Sequence, residues 1–265
     1  MDSPQKPPPI ERAIEARSAE VYAGFLLPYL RPGMAVLDCG CGAATVTMGL
    51  AEVVHDGRVV GVDLDQDNFA PTRCYAASIG RNNLTFIVAD GRQLPFHDAV
   101  FDAVLCHSVL ETLDDPARTV AELRCVTKPG GVVGAASVEY SGIIIGGEKT
   151  AGPRRFYDIR QQLWRAERIA EPNMGRRLRG LFAEAGFARV EAFAGYINYG
   201  TPDLVAAFAR DRAAECRDPE LRAAVARHGI APVEELNNLA TAWVEWGANP
   251  GAFFAFPWCR VLAWR

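Results

Sequence analysis

The sequence predicts an α/β fold, a doubly wound, mostly parallel sheet of seven strands with added helices that form a lid. Short apolar, β-branched runs alternate with longer amphipathic ones between about residues 31 and 137. Runs that are apolar on both faces belong to a parallel sheet covered on both sides. The first run ends in a glycine-rich turn, and the second ends in an aspartate about twenty residues further on. That pairing points to a ligand held beyond the carboxyl ends of the strands.

Residues 1–10, with prolines at 7, 8 and 9, can neither hold a helix nor pair as a strand. They read as a mobile tail, and residues 11–265 as one domain. From Glu11 to Leu30 apolar residues recur at helical spacing until Arg31-Pro32-Gly33 stops them. Met34–Asp38 is the expected first strand, Thr45–Val54 a helix, Arg58–Asp63 the second strand and Asp67–Ile79 a helix. Leu84–Ala89 and Phe101–Cys106 follow as strands three and four. Pro116–Val126 is a helix stopped by Lys128-Pro129-Gly130-Gly131, and Val132–Ser137 is the fifth strand. Beyond it, helices are expected at Arg154–Ala170, Gly175–Ala185, Asp203–His228 and Val233–Trp246. Strands at Arg189–Ile197 and Phe253–Trp264 complete the seven. No repeat or linker cuts off a second domain, so segments of about 11–30, 153–185 and 202–248 read as cover over the sheet.

Composition removes several classes of function. The chain has 265 residues, 49% hydrophobic and 23% charged, with a net charge of −4. A nucleic-acid binder would be strongly basic, and a disordered chain poorer in apolar residues. No apolar run reaches the ~18–20 residues of a membrane span, and the first residues lack the apolar core of a signal peptide. Seven cysteines, an odd number scattered through apolar segments, do not make a disulfide framework. A cytoplasmic setting is expected.

Chemistry is sought just after each strand. After the first come Asp38-Cys39-Gly40-Cys41-Gly42, where glycines let the backbone approach a ligand. After the second comes Asp63, placed where a carboxylate accepts from a ribose diol. Asp90-Gly91 follows the third and His107-Ser108 the fourth. The stretch VLDCGCGAAT has neither the spacing of a dinucleotide fingerprint nor the Lys-Ser/Thr of a P-loop. A ligand with a ribose and no pyrophosphate fits better.

These residues resemble a known series. Val36-Leu37-Asp38-Cys39-Gly40-Cys41-Gly42 resembles the first motif of class I S-adenosylmethionine-dependent methyltransferases, which have a Rossmann-like fold. Gly61-Val62-Asp63-Leu64-Asp65 is similar to their acidic ribose motif, and Val88-Ala89-Asp90-Gly91 to their adenine segment. Phe101-Asp102-Ala103-Val104, His107-Ser108-Val109-Leu110-Glu111 and Lys128-Pro129-Gly130-Gly131 complete the series in order. The similarity extends to ubiquinone- and menaquinone-type and secondary-metabolite methyltransferases.

The resemblance implies S-adenosyl-L-methionine as cofactor and S-adenosyl-L-homocysteine as product. It places Asp38, Gly40 and Gly42 around the methionine portion, Asp63 on the ribose hydroxyls and Leu64 against the adenine. Asp90, with the Gly91 backbone, takes the adenine amino group, and His107 flanks the cofactor. Arg17-Ser18 is similar to an Arg-Thr pair that some relatives present to the cofactor's carboxylate. Thr112 departs from the family pattern, in which many relatives have histidine after Leu-Glu.

Other readings weigh less. Cys39 and Cys41 lack a second cluster and are poor zinc spacing, so no metal is expected. Asp63, Asp65 and Asp67 mimic a calcium loop, but Asn68 and Cys74 stand where it needs Gly and Glu. Residues 154–179 hold eight arginines, which read as a solvated face or as a grip for an anionic acceptor. Tyr140, Phe156, Tyr157, Trp164, Tyr196 and Tyr199 are core or cover residues individually. Together they can line an aromatic acceptor pocket.

The expected reaction is in-line methyl transfer to a small-molecule acceptor, aromatic or anionic, without nucleic acid or membrane. Its candidate catalytic groups are His107, Glu139, Tyr140 and Tyr157. Two alternatives stay open, a cyclisation or decarboxylation with the cofactor bound and a non-catalytic cofactor-binding protein. The oligomeric state stays open too, a homodimer among the choices.

Overall fold

The computed structural model describes residues 17–168 and 170–265. Contacts group the chain into two compact units. Among the described residues, the first holds the chain from Arg17 to Ser137, Arg177–Phe193 and Arg260–Arg265, and the second holds Val138–Arg176 and Ala194–Cys259.

The first unit opens with one helical turn, α1 (Ala19–Tyr22), and a 3-10 turn at Leu27–Tyr29. The single helix expected to Leu30 is therefore broken, and Pro28, lacking an N–H, sits in the tighter second turn. The tail and the expected helical residues 11–16 lie outside the described residues.

Every residue of β1 (Ala35–Cys39) is buried. Between β1 and β2 (Arg58–Asp63) runs α2 (Thr45–Val53), and between β2 and β3 (Leu84–Val88) runs α3 (Gln66–Ser78). β4 (Phe101–His107) and β5 (Thr127–Val138) follow, joined by α4 (Pro116–Val126). The pairs β1–β2, β2–β3, β1–β4 and β4–β5 are all parallel. The chain lays β2 and β3 to one side of β1, then returns to set β4 on the other. Strand order reverses between β1 and β4, and such a reversal opens a crevice at the strands' carboxyl ends.

β5 begins at Thr127 rather than Val132. Phe101 pairs with Thr127 and Ala103 with Val132, so Lys128-Pro129-Gly130-Gly131 is absorbed as a bulge. Gly130, at φ +77°, supplies the left-handed residue this needs. Its N–H donates to the Arg265 carbonyl at 2.9 Å, and the Arg265 N–H returns a bond to Gly131 O at 3.1 Å. The core of this unit packs Val36, Leu50, Val54, Val59 and Leu105 with Leu26 and Leu30.

In the second unit, β6 (Ile144–Gly146) is an eighth strand that the sequence reading lacked, paired antiparallel with residues 253–255. Helix α5 (Ala151–Glu167) buries Pro153, Phe156, Ile159 and Leu163 at helical spacing. Next come α6 (Leu178–Glu184), in the first unit, and β7 (Arg189–Tyr199). The helix expected over 203–228 is two, α7 (Pro202–Glu215) and α8 (Pro219–Arg227). The break is local chemistry, because Pro219 stands at the first helical position and Asp218 caps the Glu220 and Leu221 amides, each at 2.9 Å. α9 (Val233–Gly247) and β8 (Phe253–Trp264) end the chain. Phe156, Leu163, Leu236, Trp243, Trp246 and Phe254 make this unit's core, with Trp246 Nε1 donating to Gly146 O at 2.9 Å. Among the described residues no helix is long and apolar enough to cross a membrane.

Candidate functional site

Beyond the carboxyl ends of β1–β4 the first unit has a cleft of about 370 Å³, within the size range of small-molecule sites. Arg17, Asp38, Gly40, Gly42, Asp63, Leu64, Asp90, Gly91 and His107 all line it.

The turn after β1 shapes the near wall. The Gly40 and Cys41 amides both donate to Val62 O, at 2.7 and 2.9 Å, which ties the turn to β2. A side chain at Gly40 (φ +78°) would meet Val109 Cγ2 at 2.1 Å, so only glycine lets this turn pack on the segment after β4. Gly42 has nothing within 4 Å of where its Cβ would be. No side chain caps α2, leaving its first N–H groups for a ligand or water.

Asp38 is buried, and the Thr47 hydroxyl donates to its Oδ2 at 2.7 Å. Desolvation pushes its pKa up to about 6, against the Thr47 bond and helped by the nearby Asp63 charge. Asp63 Oδ2 accepts from the Gly42 amide at 2.8 Å. Its Oδ1 accepts from the Asp65 amide at 3.2 Å and Asn68 Nδ2 at 3.1 Å. Of about four acceptor sites on a carboxylate, three are in use, and the third donor is an exposed side chain that can yield. Asp63 thus has room for two hydroxyls. Leu64 is 65% exposed, an apolar surface turned to the cleft.

Asp90 is held by Arg92, whose hydrogen bonds, side chain and backbone, keep the carboxyl below the usual range. His107 is half-buried, edge-on to Tyr22 at 5.3 Å between ring centroids. Arg17 lies over the same Tyr22 ring at 4.8 Å. Desolvation first, then the Arg17 and Arg260 charges, push the His107 pKa down to about 3. The imidazole is neutral at any physiological pH.

Residues 37–134 match the family model of a methyltransferase domain. The probable methyltransferase ltbC of Aspergillus luteorubrus is 28% identical over 95% of this chain and 92% of its own length. A demethylmenaquinone methyltransferase of Symbiobacterium thermophilum is 34% identical over 39% of this chain and 42% of its own length. The fold is that of the solved YcgJ protein of Bacillus subtilis, with a TM-score of 0.57 over 91% of this chain and 97% of the other, at 17% identity. Residues 37–134 are thus a methyltransferase domain, and a relative that matches along nearly the whole chain is a probable methyltransferase.

The methyltransferase's other candidate catalytic residues stand in the second unit. Glu139 accepts from the Arg176 amide and guanidinium and from the Ser141 hydroxyl. Although desolvation opposes it, this set keeps the carboxyl ionised, with its pKa below the usual value. Tyr157 is buried against Phe156, Trp243 and Phe254, and burial pushes its phenol pKa far up. Tyr140 packs on Tyr157, Trp164 and Phe256. The arginine stretch is partly neutralised, with Arg155 on Glu235, Arg160 on Glu215 and Arg176 on Glu139.

Two residues of the methyltransferase's first unit escaped the sequence reading. Glu111 is buried and accepts from the Ser108 hydroxyl at 2.9 Å and the Ser137 hydroxyl at 2.7 Å. It joins the segment after β4, where Ser108 has φ +60°, to the end of β5. Arg92 is the other. A basic residue two positions after a carboxylate in a turn was the signal available for it.

Proposed function

We propose that this methyltransferase moves the methyl group of S-adenosylmethionine to a small-molecule acceptor of quinone or secondary-metabolite type, acidic enough to ionise near neutral pH. One observation carries the reading, namely that Asp38, Asp63, Leu64 and Asp90 share one cleft at the strand reversal.

The residues fit the cofactor. Gly42 and the uncapped start of α2 leave backbone open to its methionine end, and the ionised form of Asp38 suits an ammonium there. Asp63 has acceptor capacity for the ribose, and exposed Leu64 an apolar face for the base. When bound, the cofactor supplies an activated methyl group on a sulfonium. A neutral His107 adds no positive charge to repel that cation. The chain's contribution is alignment and exclusion of water, worth up to ~7–11 kcal/mol in well-oriented reactions.

None of the four candidates is assigned the role of general base. His107 is too weak at a pKa of about 3, Glu139 is saturated by Arg176 and Ser141, and Tyr157 is held neutral. Tyr140 is assigned to packing among its ring neighbours. An acceptor that loses its own proton, such as a phenol or hydroxyquinone, needs no such base. The similarity to a demethylmenaquinone methyltransferase supports a quinone-type acceptor. The thiols of Cys39, Cys41, Cys74, Cys106, Cys125 and Cys216 are free, which is compatible with the cytoplasmic setting proposed here.

The test is incubation with methyl-labelled S-adenosylmethionine and a panel of hydroxyquinones and phenols. Labelled product from an acidic acceptor is expected. Conversion of an acceptor without label, or cofactor binding with no transfer to any member, overturns the reading.

A further inference from the structure

Asp90 carries a partner that the cleft itself does not require. The Arg92 amide donates to Asp90 Oδ1 at 2.8 Å, Nε reaches both oxygens at 3.0 Å, and Nη2 reaches Oδ2 at 2.7 Å. The turn that presents Arg92 is itself pinned, because Arg118 Nε on α4 donates to the Arg92 carbonyl at 2.9 Å. Asp114 and Asp115, after β4, add further negative charge around the guanidinium. Asp90 and Gly91 line the cleft, whereas Arg92 is outside that lining.

We propose that Arg92 is a specificity-determining positioning residue, fixing the Asp90 carboxylate so that the cleft accepts a purine bearing an exocyclic amino group and rejects one bearing a carbonyl there. The inference rests on the reading above that Asp90 meets the cofactor's base.

Acceptor sites on the Asp90 carboxylate set the selectivity. A carboxylate has about four, and Arg92 fills three with one backbone and two side-chain N–H groups. The fork geometry fixes the plane of the carboxylate, as a point charge would not. What remains is a single acceptor direction on an anion that has no proton to give. An amino group satisfies it. A carbonyl oxygen in the same place would face the anion with no hydrogen between them, and such sites discriminate strongly because a polar group is left unpaired. Without Arg92 the carboxylate can turn, and can take a proton and donate it to a carbonyl.

Calorimetry with S-adenosylhomocysteine and S-inosylhomocysteine, whose amino group is replaced by a carbonyl, tests this on the full chain. The readout is the ratio of the two dissociation constants, which loss of packing alone would not move. Wild type is expected to prefer the adenosyl compound by at least ~30-fold. R92M should cut that ratio to about a third or less of its wild-type value, with R92K between the two. An R92M ratio equal to wild type, beside a collapsed ratio in D90N, overturns the role of Arg92 and leaves Asp90 in place. A D90N ratio and affinity equal to wild type overturns the placement of the base at Asp90, and this inference with it. Both side chains are partly exposed, at 42% and 33%, so the variants are expected to fold, and a thermal melt checks it.

Discussion

The Thr47 hydroxyl donates to the Asp38 carboxylate at 2.7 Å where both side chains are buried. One hydrogen bond does not replace the water that the anion has lost, and desolvation lifts the Asp38 pKa from 3.8 to about 6. The folded chain therefore binds this proton more tightly than the unfolded one. Stability from this group is complete below about pH 4 and is lost as pH rises through about 6. A rise of about two units corresponds to roughly 3 kcal/mol of cost at neutral pH. Asp38→Asn removes the charge and keeps an oxygen for Thr47. It is expected to be more stable than wild type at pH 8, by about 1–3 kcal/mol, with the gap closing near pH 4. Denaturation at the two pH values measures this, and a variant less stable than wild type at pH 8 would show that the charge is not strained. Cofactor affinity should fall in the same variant, since strain of this kind is kept where function needs it.

Asp63 offers a separate test of the cleft. Its carboxylate receives the Gly42, Asp65 and Asn68 donors and, in the proposed complex, the ribose hydroxyls. Hydrogen bonds to a charged group are worth about 1.5–3 kcal/mol each. Asp63→Ala is expected to weaken binding of S-adenosylhomocysteine at least tenfold by calorimetry. Unchanged affinity would place the ribose elsewhere.

Glu111 predicts a stability effect rather than a binding one. Ser137 is fully buried, and its hydroxyl donates to Glu111. Glu111→Ala strands that hydroxyl, leaves a cavity and frees the turn at Ser108. A loss of about 2–4 kcal/mol in chemical denaturation is expected. Glu111→Gln keeps an acceptor and should recover most of it. Equal losses in the two would mean that the carboxylate with both its oxygens, and not the volume that glutamine keeps, holds the segment.

Local signals explain which parts of the fold were legible. Arg58–Asp63, Pro116–Val126 and Phe253–Trp264 end where charge, proline or glycine punctuates an apolar pattern, and the structure matches those limits. Ile144–Gly146 becomes a strand only by pairing with residues more than a hundred positions later, which no local pattern announces. The early start of β5 has the same cause, because the bulge at Gly130 is set by pairing with β4 and by Arg265. In the site, the glycine turn and the aspartates after the strands could be read because the sheet's topology dictates where they go. Glu111 could not, since its meaning lies in Ser137, on another strand.

His107 gives the sharpest check on the chemistry. Its ring lines the cleft, where a histidine of ordinary pKa would serve as a base near pH 6.5. Burial and the Arg17 and Arg260 charges instead depress it to about 3. For a depressed group the stability contribution is present above the unfolded pKa and is lost as pH falls towards the folded one, here between about 6.5 and 3. Two results are expected of His107→Gln. Its stability should fall less steeply than wild type's on acidification through that window, because the unfolded chain no longer gains a proton there. Its profile of kcat/KM against pH should keep the wild-type limbs, with any loss of rate spread evenly across pH. A wild-type acid limb near pH 6.5 that disappears in the variant would make His107 the base. The acceptor would then need no acidity of its own.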